Sequence, residues 1–382
     1  GFNVTRKGGW DCHGLPVEVQ VEKKLGLNSK KDVVNYGIGK FNELCRKDVF
    51  TFIQDWNKLT SRMAFWIDLE NPYITLTNPY IESVWWSLKE LYNKNLLYED
   101  HKVVPYCPRC ETPLSSHEVA LGYNDVSEDS VTTKFKLKDQ DRYLLAWTTT
   151  PWTTPSNIAL AVGRDIIYSV VEENSIQYIL AREAVPKYFK EPVIIEEFAG
   201  DTLVGQEYIP LFDYFVGKLD QSAWKVIATK FVKTDEGTGI VHIAPAFGED
   251  DFNLGQVKKL SVPLILDEDG KFTSDSPFPW AGVYFKKADG QIAEALKKKG
   301  LLVKAQRITH SYPHCYRCAT PLIYMAQDAW FMKIDPIRKQ MLKTNEQINW
   351  VPEHFGKKRF KYNIENAPDW SLSRTRYWGT PI

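Results

Sequence analysis

Four of the six cysteines form two CxxC pairs, Cys107 and Cys110 in PYCPRCET, and Cys315 and Cys318 in PHCYRCAT. Each pair can present two thiolates from one tight knuckle, and two knuckles complete a tetrahedral zinc site. Such a site has no ligand position to spare, so the metal's role would be structural. Disulfides are the alternative, but no secretion signal is visible and a reducing compartment is expected. A thioredoxin-like redox motif would not need a second matching pair. If both knuckles hold one metal, residues 111–314 leave a parent domain and return to the same point, as an inserted domain does.

A second concentration of reactive groups is LLAWTTTPWTTPSN, Leu144–Asn157. It opens as a buried strand and then runs through five threonines and two prolines between Thr148 and Pro155. Proline removes a ladder donor, so the strand must stop and turn here. Hydroxyls buried without partners cost desolvation. They either bond their own backbone in a Thr-rich turn or line a wet cleft that can hold a water or a ribose. Composition alone favours the turn. A third motif is GTGIVHIAPAFGEDDF, residues 237–252. Gly237 and Gly239 permit tight backbone geometry, an apolar strand delivers His242, and proline then breaks the strand. Glu249, Asp250 and Asp251 open a helix, where acidic residues suit the macrodipole. A carboxylate there, in a partly dry pocket, would also anchor an ammonium group. In GWDCHGLP, Asp11 and His13 fall at the end of a strand, where open α/β sheets bind ligands. A helix cap for Asp11 and a hydrogen-bonded loop histidine are the simpler readings.

The elements that must position these groups follow from periodicity. Pro16 suits the first turn of a helix. Residues 30–70 read as helical, and residues 80–96 as an amphipathic helix with Ile81, Val84, Trp85, Leu88 and Leu91 on one side. His101–Tyr106 is a short strand into the first knuckle. Residues 126–305 change texture: VTTKFKL, YLLAWTTT, IIYSVVEE, YILA, WKVIATKFV and GIVHIAPA are β-like runs separated by turns, with helical pieces at 250–259 and 290–299. PLIYMAQDAWFMKI reads as a strand followed by a helix. WVPEHFGKKRFKYN carries a modest basic patch, and DWSLSRTRYWGTPI ends at a further strand.

A chain of 382 residues, 43% hydrophobic and 25% charged, is an ordinary globular sequence long enough for two or three domains. Its 48 basic and 48 acidic residues cancel, so nucleic-acid contact would come from local patches. No run is apolar enough to span a membrane. The chain begins at Gly1 inside what reads as a structural unit, and a longer parent is expected.

GWDCHGLPVE, WTTTPWTTPSN, GTGIVHIAPAFGEDD, HSYPHCYRCATPLIY and DWSLSRTRYWGTPI together resemble the isoleucyl-tRNA synthetases, a class I aminoacyl-tRNA synthetase family. Valyl and leucyl relatives share the architecture but differ at GWDCHGLP. The resemblance implies an α/β fold: a partial Rossmann-type catalytic domain interrupted by an inserted β-rich editing domain, with a zinc knuckle at the junction. The divisions would be 1–100 for the partial catalytic domain, 101–125 for the first knuckle and its strands, 126–305 for the editing domain, 306–330 for the second knuckle, and 331–382 for the return. The HIGH-type and KMSKS-type motifs are expected before Gly1 and after Ile382.

Site residues carry over one by one. Asp11 resembles the carboxylate that receives the amino group of isoleucine. Thr148, Thr149 and Thr150, with Trp152 and Asn157, resemble the threonine-rich wall of the editing pocket. His242 resembles the residue limiting side-chain size, and Asp251 the anchor for the substrate's amino group. Thr154 stands where Leu is frequent and Phe247 where many members have His. Implied besides structural Zn2+ are ATP and Mg2+ for the parent enzyme, tRNA(Ile), isoleucine and valine as substrates, a monomeric parent, no membrane partner and a cytoplasmic location. A non-catalytic zinc-knuckle RNA-binding module and a hydrolase outside translation are the rival classes.

Overall fold

The computed structural model describes residues 4–220, 222–273 and 279–381. The strand Lys7–Trp10 pairs in parallel with Asp68–Ile74. Between them run helices Leu15–Leu25, Lys30–Tyr36, Ile38–Asp48 and Ile53–Arg62. Parallel pairing needs such a crossover. The long helical stretch expected over 30–70 is thus three short helices that give way to a strand. Gly37, at φ 104°, lies in a conformation few other residues adopt and separates the first two. The helix expected at 80–96 spans Asn78–Asn93, with Pro79 in its first turn.

The C-terminal segment folds back on this body. Trp378 buries its ring among Cys12, Val21, Phe41 and Cys45, and its indole N–H donates to the Cys12 carbonyl at 2.7 Å. The buried Glu18 carboxylate accepts the backbone N–H groups of Tyr377 and Trp378 and pairs with Arg376. Residues from either side of the intervening segment therefore build one core. That is the geometry of an interrupted domain.

The intervening segment leaves and returns on paired strands. Leu97–Cys107 runs antiparallel to Ile323–Met332. Tyr123–Lys136 then runs antiparallel to Leu302–Pro313, from Tyr123 opposite Pro313 to Thr133 opposite Leu302. Four further strands, Arg142–Thr148, Ile176–Ala181, Ile167–Glu173 and Val193–Ala199, extend this ribbon into a six-stranded sheet. A second sheet of three strands has Ala159–Val162 at its centre, parallel to Lys225–Ala228 and antiparallel to Val241–Ile243. All four side chains of Ala159–Val162 are buried, which explains why this strand reads as an unbroken apolar run. The core between the sheets includes Phe135, Leu144, Tyr168, Ile179 and Tyr208.

Several strands are shorter than their apolar runs. WKVIATKFV contributes only Lys225–Ala228, and GIVHIAPA only Val241–Ile243, because Pro245 cannot continue a ladder. The helices expected at 250–259 and 290–299 span Glu249–Lys258 and Phe285–Lys298. In the tail, Trp370–Ser371 is a two-residue strand, and no strand closes it among the described residues. Among those residues, no helix is long and apolar enough to cross a membrane.

Candidate functional site

The four knuckle sulfurs lie within 4.8 Å of one another. Cys318 Sγ stands 3.5 Å from Cys107 Sγ and 3.6 Å from Cys110 Sγ. Ligands bound at about 2.3 Å around a tetrahedral zinc would stand roughly 3.8 Å apart, whereas a disulfide would bring two sulfurs to about 2.05 Å. All six cysteines are free thiols. The donor set and its spacing fit zinc. Thiolates this close repel one another, so the four stay deprotonated only around a cation.

Both knuckles are the same turn. The residue after each second cysteine, Glu111 or Ala319, adopts a left-handed conformation, at φ 46° and 58°. Cys110 N–H points at Cys107 Sγ, and Ala319 N–H donates to the Cys315 carbonyl. The knuckles are brought together by the ribbon, where His314 N–H donates to the Gly122 carbonyl at 2.8 Å. Around them, Arg109 reaches Cys110 Sγ at 3.9 Å and Glu22 at 2.6 Å. Arg376, paired with Glu18, donates to the Cys110 carbonyl at 2.6 Å. The four-cysteine cluster is thus tied to both halves of the interrupted domain.

The Thr-rich motif and the His242 motif meet in the other body. After Thr148 the chain enters a tight 3-10 turn, Pro151–Ser156, buried throughout. Thr153 and Thr154 donate to the carbonyls of Thr150 and Pro151 at 2.8 and 2.7 Å, so the inner hydroxyls behave as in a simple Thr-rich turn. The outer ones do not. Thr148, Thr149 and Thr150 are only half-buried, and the Thr148 and Thr150 hydroxyls lie 3.1 Å apart. Thr150 Oγ1 is 3.2 Å from Thr153 Oγ1, which in turn is 2.9 Å from His242 Nε2. The two motifs are one hydrogen-bonded surface.

His242 is 8% exposed, opposite Leu160 in the central strand. Burial lowers its pKa to about 4, so the imidazole is neutral at physiological pH. Asp251 sits in the first turn of the next helix and accepts Ala244 N–H at 2.8 Å. Burial chiefly, and neighbouring Asp250, push its pKa up to about 6, against the pull of that N–H. Asp251 makes no ion pair among the described residues. Glu249 and Asp250 point to solvent.

Trp152 and Asn157 lie behind this surface. Trp152 is 2% exposed and packs in T-shaped contacts with Phe247 and Phe285, at 5.0 and 5.1 Å between centroids. Asn157 is 4% exposed, with its amide bonded to His242, Ala159 and Tyr208. Both expected substrate contacts are therefore side chains that hold the wall from within. Asp11 is exposed just past Lys7–Trp10, in the body that packs around Trp378. The structure does not bring it to the Thr/His surface.

Two further residues, Asp289 and Tyr208, support this wall from outside its motifs. Asp289 accepts the Trp152 N–H at 2.9 Å, and burial raises its pKa to about 7. It shares a helix face with Phe285, Ala288 and Ile292, and a carboxylate on an apolar stripe was the available signal. Tyr208 is wholly buried and donates to Asn157 Oδ1 at 2.7 Å; no local pattern marks it.

An α/β domain split by a β-rich insertion, with a four-cysteine knuckle at the junction and a Thr/His/Asp surface in the insertion, is the layout of a class I synthetase with an editing domain. The chain belongs to that family: the model described as tRNA synthetases class I (I, L, M and V) matches residues 1–382. Isoleucine–tRNA ligases from Clostridium novyi and Picrophilus torridus are each 49% identical to it over its whole length, and that of Thermus thermophilus is 45% identical. The chain spans 37% of the length of each.

Proposed function

We propose that this chain carries the editing activity of an isoleucine–tRNA ligase, hydrolysing the ester that joins valine to the terminal ribose of tRNA(Ile). The parent enzyme would activate isoleucine with ATP and Mg2+ and transfer it to tRNA(Ile) in the cytoplasm, as a monomer. Asp11 would receive the amino group of isoleucine in that synthetic site, and the editing unit would occupy 126–305. The observation that carries the reading is the contact of Thr153 with His242 at 2.9 Å, which joins the two motifs beside Asp251, a carboxylate with no ion pair among the described residues.

The need for a second site is physical. A hydrophobic pocket extracts only about 1–3 kcal/mol from one methylene, and the isoleucine–valine pair is itself the standard example of that limit. The chemistry derives from positioning. Asp251, ionised and partly dry, binds the ammonium of the aminoacyl group and so fixes the ester carbon. The half-buried hydroxyls of Thr148, Thr149 and Thr150 hold the attacking water or the ribose beside it. His242 has both ring nitrogens engaged, one by Thr153 and one by Asn157, so it has no lone pair to take a proton from water. Its exposed edge limits the size of the side chain admitted. The knuckle zinc would supply only structural bonds, through Cys107, Cys110, Cys315 and Cys318.

Deacylation of Val-tRNA(Ile) and Ile-tRNA(Ile) by the chain tests this. The first should be hydrolysed and the second spared. An RNA-binding module would bind tRNA without hydrolysis, and a hydrolase outside translation would cleave simple valine esters without tRNA. Either result overturns the proposal.

A further inference from the structure

Arg376 and Glu18 form an ion pair inside the core, with side chains 7% and 3% exposed. Taking two charges out of water costs as much as their attraction returns, or more, so such a pair adds little stability by itself. The Arg376 Nε also lacks a hydrogen-bond partner among the described residues. What the pair does is hold three segments that are distant in sequence. Arg376 Nη1 donates to the Cys110 carbonyl, in the first knuckle, at 2.6 Å. One Glu18 oxygen meets the guanidinium. The other accepts the backbone N–H groups of Tyr377 and Trp378 at 2.9 and 2.6 Å. Trp378 in turn grips the loop between strand Lys7–Trp10 and helix Leu15–Leu25. Its indole N–H donates to the Cys12 carbonyl at 2.7 Å, and its own carbonyl accepts the Gly14 N–H at 3.1 Å. Its ring makes a T-shaped contact with His13, 5.2 Å between centroids.

Asp11 stands exposed at the start of that loop. On the far side, Cys12 N–H donates to the Thr75 hydroxyl at 2.9 Å, so the loop is clamped between Thr75 and Trp378. A second tie from the knuckle, Arg109 to Glu22 at 2.6 Å, ends on helix Leu15–Leu25 instead. We infer that Arg376 and Glu18 are positioning residues through which the first knuckle, when closed on zinc, sets the loop Asp11–Gly14. The Cys110 carbonyl belongs to a residue whose thiolate the metal would hold, so its place is fixed in the loaded knuckle and released in the empty one. Resting on the reading of Asp11 as the group that receives the amino group of isoleucine, this gives the knuckle a task besides closing the inserted segment: it supports the synthetic site.

Backbone amide exchange tests this, followed by mass spectrometry in the zinc-loaded chain and after zinc removal by a chelator. Removing zinc should speed exchange at Gly14, Tyr377 and Trp378 about tenfold or more, the size expected when a buried hydrogen bond to a charged group is lost. Strand Ala159–Val162, in the inserted segment, should be unchanged. Arg376→Lys keeps a cation for Glu18 but replaces the fork that serves two partners with a single ammonium. With zinc bound it should already show the faster exchange, and chelation should add little. Glu22→Gln weakens only the second tie and should keep the slow exchange while zinc is bound. A chain that takes up no zinc, or whose loop exchange ignores chelation, overturns the inference. So does equal acceleration of Ala159–Val162, which marks general loosening, and so does equal exchange in the two zinc-bound variants. Should Arg376→Lys not fold, chelation of the unmodified chain still decides. In the full-length parent enzyme, Arg376→Lys should raise KM for isoleucine about tenfold and leave KM for ATP nearly unchanged. If amide exchange behaves as expected but KM for isoleucine does not move, the link to the knuckle stands and the reading of Asp11 fails.

Discussion

Asp251→Asn should make the protein more stable and less active at once. The unperturbed carboxyl titrates at 3.8 and the folded one at about 6, chiefly through burial. Because the folded pKa lies above the unfolded one, the fold favours the protonated acid. No penalty exists below pH 3.8, it grows as pH rises to 6, and above that the ionised group costs about 3 kcal/mol. Asparagine can still accept the Ala244 N–H but carries no charge. Its folded state should therefore gain up to about 3 kcal/mol at pH 8 and nothing at pH 3.5, measured by urea unfolding at both values. Function moves the other way. The substrate's ammonium loses a charged partner worth about 1.5–3 kcal/mol, which is roughly 10- to 150-fold in kcat/KM for Val-tRNA(Ile). In the unmodified protein, the same reasoning predicts activity that falls about tenfold between pH 7 and pH 5 as Asp251 takes up its proton. An Asp251→Asn protein that edits at the parent rate would refute the assignment; one that gains no stability at pH 8 would refute the account of its burial.

His242→Ala should open the pocket, so that Ile-tRNA(Ile) begins to be hydrolysed; slower valine removal with isoleucine still spared would instead make His242 a base. The protein purified without chelator should hold one zinc per chain, lost in Cys318→Ser; elemental analysis without zinc, or a Cys107–Cys110 disulfide, contradicts this. Gly122→Ala would set a Cβ 1.9 Å from the His314 carbonyl oxygen. Since main chain cannot yield as a side chain would, the substitution should cost about 1–3 kcal/mol and lower the zinc content; an unchanged melting temperature and full zinc would show that the ribbon does not set the knuckle.

How much of this was legible depended on whether a signal is local. The two CxxC pairs announced both a cluster of four cysteines suited to a metal and an inserted segment, because tetrahedral thiolate ligation needs two knuckles and therefore needs the chain to return. The ribbon itself was not legible: SEDSVTTK and RITHSYP carry mixed polar and apolar residues, and their pairing is fixed by where the knuckles bring them. The helical reading of 30–70 fails for the opposite reason. Its apolar spacing is helical throughout, yet the chain breaks at Gly37, over residues 49–52 and after Arg62, which periodicity weighs lightly.

The threonine stretch shows why the site was harder than the fold. Its two readings, a self-bonded turn and a polar wall, both describe part of it: the inner hydroxyls bond backbone carbonyls and the outer hydroxyls bond one another. Thr153 also meets His242 Nε2 at 2.9 Å, from more than eighty residues away along the chain. That histidine is oriented by Asn157, whose amide is oriented in turn by Ala159 and Tyr208. The wall is thus supported from behind by tertiary contacts as well as by its own local bonds. A motif can say which groups stand at the surface of a pocket; what holds them there includes buried partners, His242 and Tyr208, that the motif does not contain.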